Sequence, residues 1–198
     1  MTASILRRSL TALALAVAAA APVASHAFEI RPMFKAGADF GGDTLVTVVF
    51  TDGSRERIKA NDGFSLGGGA VIVPDTLDVE IEVSLAYKFD FIVAKNGDVD
   101  WTRFPFEVLV FHTRPELPFR VGGGLTYHLS PKVDGSGAAR NVNINFDDAL
   151  GFVLQGEYRI AGRINLNAGL RYTSVTYKAS GLGSAKSNGL GLTFSLSF

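Results

Sequence analysis

The sequence predicts an all-β fold: one eight-stranded antiparallel up-and-down β-barrel that crosses a membrane. Three observations carry this. After residue 27 the chain alternates between apolar and polar residues with period two almost throughout, the pattern of strands with one apolar face. The connections between these runs alternate between short and long, as in barrels with turns at one end and loops at the other. The chain also has no Cys, so a small exported domain needs another device than disulfides to hold it, and closing a sheet inside a bilayer is one.

Taken in order, the chain opens with Arg7 and Arg8, then an apolar stretch over 10–23, then Ala24-Ser25-His26-Ala27 with small residues at −3 and −1. That is the pattern of a secretory signal peptide over 1–27, leaving one domain over 28–198 that begins at Phe28. The apolar run is shorter than the roughly 20 residues a spanning helix needs. Removing its two arginines from the 19 basic residues leaves 17 against 19 acidic ones, net −2. No nucleic-acid partner and no polybasic membrane-surface mode is expected from that balance.

The last segment alternates most clearly: Leu190, Leu192, Phe194, Leu196 and Phe198 share one face, and Gly191, Thr193, Ser195 and Ser197 the other. Over 163–172, Ile164, Leu166, Ala168, Leu170 and Tyr172 oppose Arg163, Asn165, Asn167, Gly169 and Arg171. The same reading gives strands over 30–40, 64–72, 77–87, 104–110, 119–129 and 150–160, which completes eight. Short turns are expected at 74–76, 113–118 and 161–162, and long loops at 41–63, 88–103, 130–149 and 173–189. The first long loop holds its own hairpin, with β-rich runs over 45–51 and 55–60 around Asp52-Gly53, expected to protrude beyond the membrane. Gly67-Gly68-Gly69 and Gly122-Gly123-Gly124 lie inside strands, where glycine allows tight curvature or room for a bulky neighbour.

The apolar face is expected to meet lipid. The polar face carries both charge signs in mid-strand: Arg31, Lys35, Asp39, Glu80, Glu82, Glu107, Arg120, Glu157, Arg159 and Arg171. These can neutralise one another in a narrow lumen, where unpaired charge is costly. The aromatics make two belts: Phe40, Tyr87, Tyr127, Phe152 and Tyr172 near the loop end, and Phe28, Phe119, Tyr158 and Phe198 near the turn end.

The terminal run Leu190-Gly191-Leu192-Thr193-Phe194-Ser195-Leu196-Ser197-Phe198 resembles the last strand of the outer-membrane β-barrel superfamily. The whole pattern resembles its OmpA/OmpX-like eight-stranded class, and 119–128, with a glycine run before an aromatic, looks like one of its strands. The resemblance implies a bacterial outer-membrane location reached through the periplasm. It implies outer-membrane lipid as surroundings and recognition of Phe198 by the barrel-assembly machinery. Any surface ligand would meet the external loops.

No cofactor or metal is expected: the loop carboxylates Asp98, Asp100, Asp147 and Asp148 match no metal-binding spacing. His128-Leu129-Ser130 places a base and a hydroxyl on one strand face and resembles the His-x-Ser element of outer-membrane lipid A deacylases. Pro131 follows where that family has Asn, and the pair sits on the fifth strand. The expectation is therefore a non-enzymatic barrel with a structural or surface-interaction role and a lumen filled by ion pairs. A narrow channel and an acyl hydrolase are the alternatives.

Overall fold

The computed structural model describes residues 28–50, 53–95, 97–114, 116–160, 165–181 and 183–198. The expected signal segment, Asp52 of the hairpin turn, and Ala161 to Ile164 lie outside them. The strands are β1 (Phe28–Gly41), β2 (Thr44–Val49), β3 (Arg55–Lys59), β4 (Gly63–Pro74), β5 (Val79–Ala94), β6 (Gly97–His112), β7 (Phe119–Gly135), β8 (Asn143–Asn145), β9 (Ala149–Ile160), β10 (Asn165–Ala179) and β11 (Gly183–Ser197). A 3-10 turn, Gly137–Ala139, precedes β8. Strands β1, β4, β5, β6, β7, β9, β10 and β11 form one antiparallel sheet, which closes because β1 pairs with both β4 and β11 while β6 pairs with β7. The eight-stranded barrel expected from the alternation is the fold observed.

The faces are those expected. Phe34, Phe40, Leu66, Leu125, Phe152, Leu170, Leu192 and Phe194 are exposed on the exterior, while Lys35, Glu82, Glu107, Arg120, Glu157 and Arg171 are buried in the lumen. Phe198 follows β11 directly and lies beside Phe34, with ring centroids 6.1 Å apart, and its N–H donates to the Pro32 carbonyl at 3.2 Å. Two inward glycines of β7 face larger lumen residues on both neighbouring strands. Gly124 lies between Leu109 and Val153 in the cross-strand register, and Gly122 between Phe111 and Gln155. A Cβ would come 2.3 Å from the Val110 carbonyl oxygen at Gly122 and 2.0 Å from the Val108 carbonyl oxygen at Gly124, so glycine here lets the backbones of β6 and β7 approach closely.

Three of the expected loops are largely strand. β5 and β6 stay paired as far as Ala94 and Gly97, and β10 and β11 as far as Ala179 and Gly183. β7 runs on to Gly135 and pairs with β8. On β6 and β10 the reason is an exchange of polarity between the two columns of the strand. In the lower part of β10 the inward column is Asn167, Gly169, Arg171 and Thr173, and above it becomes Val175, Tyr177 and Ala179. Its outward column turns from Leu166, Ala168, Leu170 and Tyr172 to Ser174, Thr176 and Lys178. Period two persists, but the face that was polar becomes apolar, so the lower pattern cannot be extended by polarity alone.

The upper inward residues form an apolar core in the barrel mouth: Ile58, Ala60, Ile92, Val99, Trp101, Val133, Ala149, Val175 and Tyr177. This changes the expected place of the hairpin. β2 pairs with β3, with a register shift between Thr44 and Val46. The ribbon does not stand free, because Ile58 and Ala60 are fully buried and Leu45, Val46, Val48 and Phe50 pack on the same core. Its apolar column finds a surface to bury against, and burial of each large aliphatic side chain is worth about 1.5–3 kcal/mol.

Candidate functional site: the closed lumen

The lumen is built in tiers. At the turn end Arg120 of β7 is a hub for three carboxylates. Its Nη1 donates to Glu80 Oε2 at 2.5 Å, its Nε to Glu157 Oε2 at 2.8 Å, and its Nη2 to both Glu157 and Glu82. Glu157 stands directly across the β7–β9 ladder from Arg120, while Glu80 and Glu82 reach in from β5. The guanidinium carbon lies 4.2 Å from the Phe111 ring centroid, a cation–π contact that covers one face of the hub. Arg159, about a third exposed at the rim, adds a bond to Glu80 at 3.1 Å.

The middle tier joins β1, β6 and β10. Arg171 forks onto Glu107 and sits 3.6 Å from Asp39, while Lys35 Nζ donates to Glu107 at 3.0 Å. Lys35 is also 3.8 Å from Glu82, so it links this tier to the one below. A cavity of about 20 Å3 remains here, bounded by Lys35, Asp39, Glu107, His128 and Arg171. That is about the room one water needs.

The upper tier ties the charges to the mouth core. Lys88 pairs with Asp39 at 2.9 Å and lies 3.4 Å from Asn61 Oδ1. Arg103, fully buried, donates to the carbonyls of Asn61 at 3.2 Å and Asp62 at 2.7 Å, and lies 4.6 Å from the Trp101 ring. Trp101 Nε1 and Ser187 Oγ both donate to the Ala60 carbonyl, at 3.2 and 3.1 Å. The segment from Ala60 to Asp62, where the hairpin returns to the wall, is thus the stopper of the barrel. Above the charges the space is filled by packed aromatics, with Trp101 and Tyr177 edge-to-face at 5.4 Å.

Of the ten charges read from the sequence, the structure brings together Lys35, Asp39, Glu80, Glu82, Glu107, Arg120, Glu157, Arg159 and Arg171. Arg31 stays apart, paired with Glu29 at 2.6 Å on the turn-end rim. Sequence reasoning missed Lys88, Arg103, Asn61 and the mouth aromatics because it placed 88–103 and 41–63 in loops. The available signal was continued alternation: Ser84, Ala86 and Lys88 fall in one column, as do Arg103, Pro105 and Glu107.

The shared face expected for His128 and Ser130 is not observed. His128 points into the lumen, 1% exposed, with its Nδ1 2.5 Å from the Tyr177 hydroxyl. Ser130 is exposed. The register of β6 against β7 shifts between Thr102 and Phe104, and Ser130 takes a left-handed φ of +48°. This bulge inserts one residue and turns the side chains above it to the opposite face.

A closed eight-stranded barrel with an apolar wall and a charged lumen is the fold of the small outer-membrane barrels. The crystal structure of Neisserial surface protein A has this fold: TM-score 0.52 and 15% identity, covering 86% of this chain and 99% of that one. The solid-state NMR structure of outer membrane protein AlkL in lipid bilayers also matches, at 17% identity and TM-score 0.37 over 90% of each chain. No protein-family profile and no curated protein sequence matches the chain.

Proposed function

We propose that this chain is a small integral barrel of the bacterial outer membrane with a structural or surface-interaction role, rather than a channel or an enzyme. The observation that carries this reading is a lumen closed twice, by ion-pair tiers and by an apolar core above them. A water-filled path would need polar walls and space, and the mouth offers packed Trp101, Tyr177 and Val133 instead. The exterior column of Leu, Phe and Tyr supports insertion in a bilayer, and the fold supports an outer-membrane location. In this reading residues 1–27 are a cleaved export signal, and β11 with Phe198 is what the assembly machinery engages. The loop end, where β2 and β3 pack on the mouth core, is the surface offered to other molecules. The separation of His128 from Ser130 speaks against acyl transfer by that pair.

Planar-bilayer recordings of the full barrel test the proposal. The expected result is no steady conductance from inserted protein. Steady single-channel openings would overturn the closed-lumen reading and favour the narrow channel.

A further inference from the structure

The outer wall carries one departure from the exchange of polarity described above. On β6, β10 and β11 the outward column turns polar toward the loop end: Asp98, Asp100 and Thr102 on β6, Ser174, Thr176 and Lys178 on β10, and Ser184, Lys186 and Asn188 on β11. On β5 it stays apolar, running from Tyr87 through Phe89 and Phe91 to Val93, with Phe91 53% and Val93 67% exposed.

These aromatics form a continuous ladder. Ring centroids lie 5.2 Å apart for Tyr87 and Phe104, 5.5 Å for Tyr87 and Phe89, and 6.4 Å for Phe89 and Phe91. They floor a groove of about 460 Å3 across β5, β6 and β7, whose upper wall holds Asp100 and Asp134. Those two carboxylates stand directly opposite each other in the β6–β7 register. Like charges in that position destabilise a sheet. Lys132 pairs with Asp134 at 2.5 Å, and among the described residues Asp100 forms no salt bridge. Asp90 also lines the groove, so one cation among three carboxylates leaves it with a net negative charge.

We propose that this groove binds an amphiphile with an ammonium headgroup, its alkyl chain lying on the Tyr87–Phe104 ladder and its cation between Asp100 and Asp134. The aromatic floor gives the alkyl chain apolar surface to lie on. The carboxylate pair supplies the opposite charge, and the bound cation relieves their mutual repulsion. The volume falls within the roughly 300–1,000 Å3 of small-molecule sites. The polarity gradient fixes the orientation, head toward the loop end and tail toward the belt.

This inference rests on the membrane-embedded reading, and the experiment separates the two. The whole barrel is held in neutral maltoside micelles, and its backbone amide NMR signals are followed with three spin-labelled twelve-carbon probes: an alkylammonium, an alkyl sulfate and an uncharged alkyl maltoside. The uncharged probe should broaden the whole exterior belt, and failure to do so would sink the embedded reading itself. The alkylammonium should add saturable broadening confined to 87–91, 100–104 and 132–134. That local effect should vanish in the Asp100→Asn/Asp134→Asn double variant, whose unchanged barrel shifts elsewhere would show that it folds. Equal local broadening by the sulfate, persistence in the double variant, or a uniform belt effect from the ammonium probe would each overturn the proposed site.

Discussion

The lower and upper halves of this barrel use the same strands to solve opposite problems. Below, the wall is apolar and the interior charged; Leu170 faces out while Arg171 faces in. Above, on β10, Lys178 faces out and Tyr177 in. The lower half is arranged for a lipid surround and the upper half for water, and the change falls within two or three residues on β10. The comparison teaches that the pleat of β10 is continuous while its polarity follows the medium. It also separates two kinds of filling. The lower interior is held by charges that need one another, the upper by apolar packing that excludes water.

The largest expected effect tests the first kind. Arg120→Met removes the cation shared by Glu80, Glu82 and Glu157 and leaves three buried carboxylates without it. Breaking a buried pair costs about 3–5 kcal/mol, so denaturant unfolding from lipid should shift by at least that much. Glu157→Gln alone should cost less, and a double-mutant cycle with Arg120→Met should show clear coupling. No coupling would mean the lower lumen is solvated enough to leave its charges independent, and the contrast between the halves would fail.

A smaller effect tests the wall. Leu192, 46% exposed on β11, lies in the apolar column between Ala38 and Leu170. Leu192→Arg should cost about 2–4 kcal/mol if it meets the bilayer midplane. Ser184→Arg, higher on the same strand at an exposed position, should cost little. Equal costs in a lipid-refolding titration would erase the boundary between the halves.

The mouth core should lose stability in a different manner. Ile58→Ala empties a fully buried site in the hairpin, and such truncations cost roughly 2–3 kcal/mol. Because the hairpin is held by packing and by bonds to the carbonyls of Ala60, Asn61 and Asp62, the loss should be local. Hydrogen exchange should rise over 44–59 and leave the amides of β10 and β11 below Thr173 protected. A global rise would show that mouth and lumen unfold as one unit.

The same contrast explains what the sequence disclosed. The lower half was legible because Leu190, Leu192, Phe194 and Leu196 alternate with small or polar residues, and because Arg120 and Arg171 fall on the same polar face as Glu80, Glu82, Glu107 and Glu157. The upper half was not, because its signal is inverted. Val99 and Trp101 are apolar and inward, whereas Val108 and Val110 on the same strand are apolar and outward. Phe89 and Ile92 are both apolar although they stand on opposite faces, so composition alone reads the segment as unpatterned. The pairing of His128 with Tyr177 was also out of reach, since it joins residues 49 apart across the lumen.

Ser130 is where the change of face on β7 is made, and it supplies the smallest predicted effect. Below it, Thr126 and His128 point inward; above it, Val133 does. Without the extra residue, Lys132 and Asp134 would enter the mouth core and Val133 would face solvent. The backbone holds this turn itself, since the Ser130 N–H donates to Asp148 Oδ1 at 2.8 Å and the Pro131 carbonyl accepts from Phe146 N–H at 2.9 Å. The side chain is therefore dispensable, while its Cβ is a burden at φ +48°. Ser130→Gly relieves that strain but frees the unfolded chain, so the net gain should be modest, about 0.5 kcal/mol. Ser130→Val should destabilise, because a β-branched residue tolerates positive φ least. A larger loss for Ser130→Gly than for Ser130→Val in parallel denaturation curves would show that the hydroxyl, not the backbone, sets the bulge.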